Sequence, residues 1–373
     1  MSQAQLAAQQ SSGLFPRYVD ALLIGGLSLI FYLFVRVSLD PTPVSGHVSW
    51  FIFSLSYIVN FPHFLASYHL LYLDFRKQIF KKPRYLLAGV IAPLVLVGCL
   101  VYGFSQRDVH VLGYMVNAMF FFVGWHYVKQ VFGIFVVYNG WKGFRLGRDE
   151  RMAIKINLYA VWLVSWVGAN TYARKHMFEG VPYTTFSLPP AFQDYAYVLL
   201  GFTALSALFT FAKRYVETGD VPDLVSVIAV LSLYIWFVPA IAHPRYSLMI
   251  PFFHSLQYLV FIFSFRFYKA KATSAQSEDG PVGRRRFLVG FWGYLALTFV
   301  TGALFMRLVP VYLDQLQSVK SLGLGPTPFF FALTLFINIH HYFIDHAIWR
   351  HDNDEMKTYL FSRSNVLIKN ETT

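Results

Sequence analysis

The chain has one cysteine in 373 residues, Cys99. That count excludes an intrachain disulfide and any cysteine-built metal cage. Charge is scarce as well: 13% of residues are Asp, Glu, Lys or Arg, about half the share of a soluble domain. Acidic residues are the rarer half, 19 against 31 basic ones, which leaves a net charge of +12. No glycine-rich nucleotide loop, flavin fingerprint or iron–sulfur cysteine run occurs, so an oxidase of this sequence takes its electrons from another protein. The basic surplus comes without an RNA-binding signature or a basic–aromatic array, which removes nucleic acid as a partner.

What fills the chain instead is apolar: 56% hydrophobic and 19% aromatic residues. They fall in blocks of roughly 20 residues, the length of a helix crossing the hydrocarbon core of a bilayer. The blocks are 18–39, 48–74, 85–106, 111–139, 156–173, 195–213, 223–242, 245–268, 287–310 and 327–350. The first 16 residues lack a basic stretch and the block after Arg17 is too long for a signal-peptide core, so 18–39 is expected to be a retained helix. The expected fold is all-α, a polytopic membrane helix bundle of about ten transmembrane helices.

Residues 1–373 read as a single integral membrane domain. A polar stretch at 269–286, beginning Lys-Ala-Lys-Ala-Thr-Ser, has a flexible linker composition and separates sub-blocks 17–268 and 287–350. The proline-containing segment 174–194 (Pro182, Pro189, Pro190) is expected on the outer membrane surface. With the N-terminus inside, 23 of the 31 Lys and Arg residues fall on inner segments and six on outer ones. The positive-inside rule then places both termini in the cytoplasm. The expected location is the bacterial inner membrane, with the cations meeting anionic headgroups at the span ends.

Against this background stand twelve histidines. Histidine is costly in hydrocarbon, so an intramembrane imidazole is a functional-site hypothesis by default. His47, His110, His176 and His243 sit at outer boundaries and His351 at the inner edge. The other seven, His63, His69, His126, His254, His340, His341 and His346, lie in the inner half of four spans. Along 48–74, His63 lies about 16 Å and His69 about 8 Å from the basic inner boundary. Asn60, His63, Ser67 and Asp74 share a face there. In 111–139, His126, Lys129 and Gln130 stand at i, i+3 and i+4; in 245–268, His254, Gln257 and Tyr258 do the same. The last span carries a stripe of Asn338, His341, Tyr342, Asp345, His346 and Trp349, with His340 about 100° away from His341. Asp345, one turn from His341, is placed to ligate or to fix an imidazole tautomer.

Imidazole suits iron, zinc, copper or nickel rather than magnesium or calcium, and seven histidines exceed what one catalytic zinc needs. His63 with His69, His126, His254, and His340-His341 with His346 resemble the histidine clusters of integral-membrane di-iron desaturases and hydroxylases. The spacings here are His-x5-His and His-His-x4-His. The resemblance implies O2-dependent oxidation of a lipid-like substrate at a non-haem centre of two iron ions. His63, His126, His254, His340 and His341 would be core ligands, with His69 and His346 completing a second metal position. Asp345, Lys129 and Tyr258 are the candidate catalytic groups, Lys129 (or Arg350) meeting an anionic headgroup. Two alternatives belong to other classes: a haem protein with axial histidines such as His126 and His254, and a proton-coupled transporter with a histidine relay.

Overall fold

The computed structural model describes residues 13–39, 43–172, 177–275, 280–316, 326–350 and 352–361. Nine helices among these are long and apolar enough to cross a membrane: α1 Arg17–Leu39, α2 Val44–Asp74, α3 Pro83–Ser105, α4 Val109–Lys142, α5 Arg148–Tyr172, α6 Ala191–Thr218, α7 Leu224–Ala242, α8 Pro244–Ala270 and α9 Val289–Asp314. A further helix, α10 Pro328–Ile348, has the length, but its own Asn338, His340, His341 and Asp345 dilute its apolar character. Each expected block thus coincides with a helix, and the chain is an all-α multi-pass membrane protein. Helices suit this composition because a lipid-exposed backbone must satisfy its hydrogen bonds within the segment.

Local chemistry sets the ends. Pro83 begins α3, where its missing N–H costs nothing. Asp223 caps α7, its carboxylate accepting the Val225 N–H at 2.8 Å. Gly219 closes α6 in the left-handed conformation at φ 71°. The polar stretch 269–286 is more helical than its composition suggests: one helix runs on to Ala275 and the next starts at Gly280. Residues 276–279, His176 and His351 lie outside the described residues. Between α5 and α6 a hairpin pairs β1 Met177–Phe178 with β2 Val181–Pro182.

Among the described residues six short π-helical turns interrupt the ladders, including Leu22–Gly26 in α1, Leu70–Asp74 in α2 and Leu87–Ile91 in α3. Such widened turns release main-chain carbonyls for other partners. Two of them are used in this way. In α1 the Ile24 carbonyl accepts from Gln257. In α3 the Ala88 carbonyl bonds His340 at 2.8 Å and the Gly89 carbonyl accepts from Tyr72 at 3.0 Å.

Two compact units can be distinguished, residues 1–56, 120–174 and 185–260 in the first and 57–119, 175–184 and 261–373 in the second. In the first, α5 packs on α6 and α7 through Val164, Val167 and Ala196. Gly124 of α4 leaves room for the Trp162 indole, which any Cβ would strike. The fully buried Asp20 carboxylate accepts from the Leu14 and Phe15 N–H groups and from the Tyr138 hydroxyl at 2.7 Å, fixing the start of α1. In the second, α10 packs on α3 and on the ends of α2 and α9. Gly302 of α9 admits Phe61. The α10 N-terminus is capped from another helix: Asp314 accepts the Phe329 and Phe330 N–H groups at 2.7 and 3.0 Å.

The faces left over are apolar, for example Val198, Phe202 and Phe209 at 72, 74 and 68% exposure on α6. A water-soluble surface does not carry such a continuous apolar stripe; lipid accounts for it.

Capping of α10 by Asp314 has a measurable value. Asp314→Ala should cost about 1–2 kcal/mol, in the usual range for a lost N-cap, read as a lower melting temperature in detergent. An unchanged melting temperature would show that α10 is held by packing alone.

Candidate metal centre

The first unit holds one histidine pair, on α4 and α8. His126 of α4 and His254 of α8 are buried, at 5 and 3% exposure, with ring centroids 5.0 Å apart and nearly perpendicular. One turn further along each helix the two are locked together. The Gln130 amide donates to Gln257 Oε1 at 2.6 Å and reaches the His254 carbonyl at 3.4 Å, while Gln257 donates to Ile24 in the π turn of α1. The sequence-marked patches His126/Gln130 and His254/Gln257 therefore face each other. Tyr127 lies against His254, centroid to centroid 4.0 Å, and limits rotation of that ring. Lys129 places its ammonium 3.5 Å from the centre of the Trp125 ring, a cation–π contact. Tyr258, one turn beyond His254, is buried at 3% exposure.

The second unit holds another pair. His63 of α2 and His341 of α10 have centroids 4.4 Å apart at 89°. Asp345 Oδ2 lies 3.2 Å from His341 Nε2, and the Ser67 hydroxyl donates to Asp345 Oδ1 at 3.2 Å. At that distance the Asp345 carboxylate stands one turn along α10, beside the His341 ring. Ser67 and Asp345 thus tie α2 to α10 one turn from the two imidazoles.

One ring nitrogen from each of His63, His126, His254 and His341 belongs to a group whose members all lie within 4.8 Å of one another, and all four residues are buried. Four buried histidines this close together can bind a metal ion. Nitrogens on one tetrahedral ion, each about 2.0–2.1 Å from it, would be about 3.3 Å apart.

Three other sequence-selected histidines stand apart from this group. His340 is directed into α3: a carbonyl accepts only, so Nε2–H donates to Ala88 at 2.8 Å and Nδ1 accepts from the Tyr68 hydroxyl at 2.8 Å. Both nitrogens are thereby engaged. His69 lies beside Tyr294, centroids 5.6 Å apart, near the Asp74–Arg266 ion pair at 2.7 Å. His346 is half-buried and outside the group. Among the boundary histidines, His47 and His110 are exposed and His243 is half-buried.

Tyr127, Trp125 and the π-turn carbonyls are contacts the sequence did not single out. An aromatic residue beside a histidine carries no signal in a chain with 19% aromatics. No protein-family model, curated protein or solved structure matches the chain.

The different placement of adjacent residues provides a paired test. His341→Ala should lower bound metal per chain severalfold, whereas His340→Ala should retain it and lose thermal stability instead. Equal metal content in the two purified variants would refute this assignment.

Proposed function

We propose that the chain is a membrane metalloprotein that oxidises a lipid-like substrate at one transition-metal ion held by His63, His126, His254 and His341. The buried four-histidine group carries this reading. Iron is the metal implied by the resemblance to membrane desaturases and hydroxylases, and four imidazoles suit a first-row ion of this kind. A single ion is the stoichiometry favoured, because His340 is engaged with Tyr68 and Ala88 rather than available for a second position.

Four neutral imidazoles leave the charge of a divalent ion uncompensated in a medium where charge is expensive. The Asp345 carboxylate, 3.2 Å from His341 Nε2, lies close enough to offset part of that charge. When bound, a redox-active metal supplies oxygen activation. The protein's own groups supply the rest. Tyr127 and Asp345 orient the imidazoles, and the apolar helix faces admit a hydrophobic substrate from the bilayer and exclude water. Lys129 is assigned to an anionic headgroup and Tyr258 to proton handling one turn from His254. Hydroxylation consumes O2, two electrons and two protons and returns one water; desaturation returns two. The electrons come from a separate donor protein.

The finer topology belongs to the same reading: ten spans, both termini cytoplasmic and a place in the bacterial inner membrane, which bring the histidine pairs toward the side where soluble donors reside. A haem takes at most two axial histidines, whereas four are grouped here. A proton-coupled carrier would bind its substrate fully without metal.

Purified protein loaded with iron should convert added membrane lipid, in the presence of O2 and a reductant, to products heavier by one oxygen or lighter by two hydrogens in mass spectrometry. Lys129→Met should raise KM severalfold with metal content unchanged. Loss of metal in Lys129→Met would assign the lysine to supporting the histidines, and full activity of metal-free protein would refute the proposal.

A further inference from the structure

A second feature lies at the inner end of α2 and α3. Residues 75–82 read Phe-Arg-Lys-Gln-Ile-Phe-Lys-Lys, with four cations and no acidic residue. The fold sorts them into an inner and an outer side. Phe75 and Ile79 turn inward, at 5 and 7% exposure, and the Ile79 side chain packs against Gly89, where a Cβ would crowd it. The 3-10 turn Arg76–Gln78 then presents the opposite side. Phe80 stands 81% exposed. Arg76, Lys77 and Lys81 are exposed, Lys82 is half-buried, and none is paired with a carboxylate among the described residues. The next cation along the chain behaves differently. Arg84 pairs with Asp352, and its hydrogen bond holds that carboxyl below the usual carboxylate range.

The loop joins two membrane helices, so it lies at headgroup depth, and its charge is of one sign. Four clustered cations beside a span attract anionic lipid, each worth about 1 kcal/mol near the surface. An exposed aromatic among them is the interfacial anchor of such sites. We infer that residues 75–82 form an anionic-phospholipid site, the four cations meeting headgroup phosphates while Phe80 enters the acyl boundary. This inference is independent of the metal centre.

Full-length protein equilibrated with equal amounts of phosphatidylglycerol and phosphatidylcholine, then weighed with its bound lipids by native mass spectrometry, tests it. The wild type should retain phosphatidylglycerol preferentially. Replacing Arg76, Lys77, Lys81 and Lys82 together by Gln should cut that preference about tenfold or more, and Phe80→Ala should reduce retention of both lipids. The paired variants Arg76→Gln/Lys77→Gln and Lys81→Gln/Lys82→Gln should each lower it, which keeps the test open if the fourfold variant does not fold. Glycerol phosphate in excess should not compete. Undiminished preference in the folded variants would overturn the inference, as would displacement of lipid by glycerol phosphate, which would mark a site for soluble phosphates.

Discussion

Everything polar in this protein answers to one constraint: imidazoles, amides and carboxylates must find partners in a medium that offers no water. The structure meets it by pairing across helices. Gln130 donates to Gln257 beside His126 and His254, and Ser67 donates to Asp345 beside His63 and His341. The π turns extend the supply of acceptors. By widening one turn, α1 yields the Ile24 carbonyl to Gln257, and α3 yields Ala88 to His340. Each pair of histidines therefore rests on a tied pair of helices, and the tie lies about one turn from the rings. Such ties convert flexible side chains into a preorganised donor set.

Much of this was legible in the sequence. Block length located the nine long apolar helices and α10, because the 20-residue rule depends only on bilayer thickness. Helical periodicity put His126 with Gln130, His254 with Gln257, and His341 with Asp345 on common faces, and the contacts use those faces. The resolution of seven histidines into four was not legible. His340 and His341 are neighbours in sequence and differ only by a rotation of about 100°. Which of them turns toward His63 depends on how α10 seats on α3, where Tyr68 and the Ala88 carbonyl engage His340. His63 and His69 differ for a related reason: six residues do not return to the same face of a helix. The π turns were hidden because their existence depends on tertiary partners for the released carbonyls. The span count is blurred because α10 is less apolar for carrying the histidines and Asp345.

The chemistry follows from the donor set. Four histidines with Asp345 behind one of them make a site that is neutral apart from that carboxylate, so a bound divalent ion keeps most of its charge. In a low-dielectric setting that charge favours an anionic substrate group, the role proposed for the headgroup near Lys129. The same reasoning separates the two sites proposed for this chain. The histidine group is buried and concerns a metal, whereas the 75–82 loop is exposed and concerns the lipid surface.

The most direct test of the central claim is X-ray absorption at the metal edge of iron-loaded, full-length protein. A single ion per chain with four nitrogen neighbours at about 2.0–2.1 Å, imidazole scattering and no second metal is the spectrum expected. A metal–metal distance, a porphyrin pattern or an oxygen-only shell of adventitious iron would contradict it.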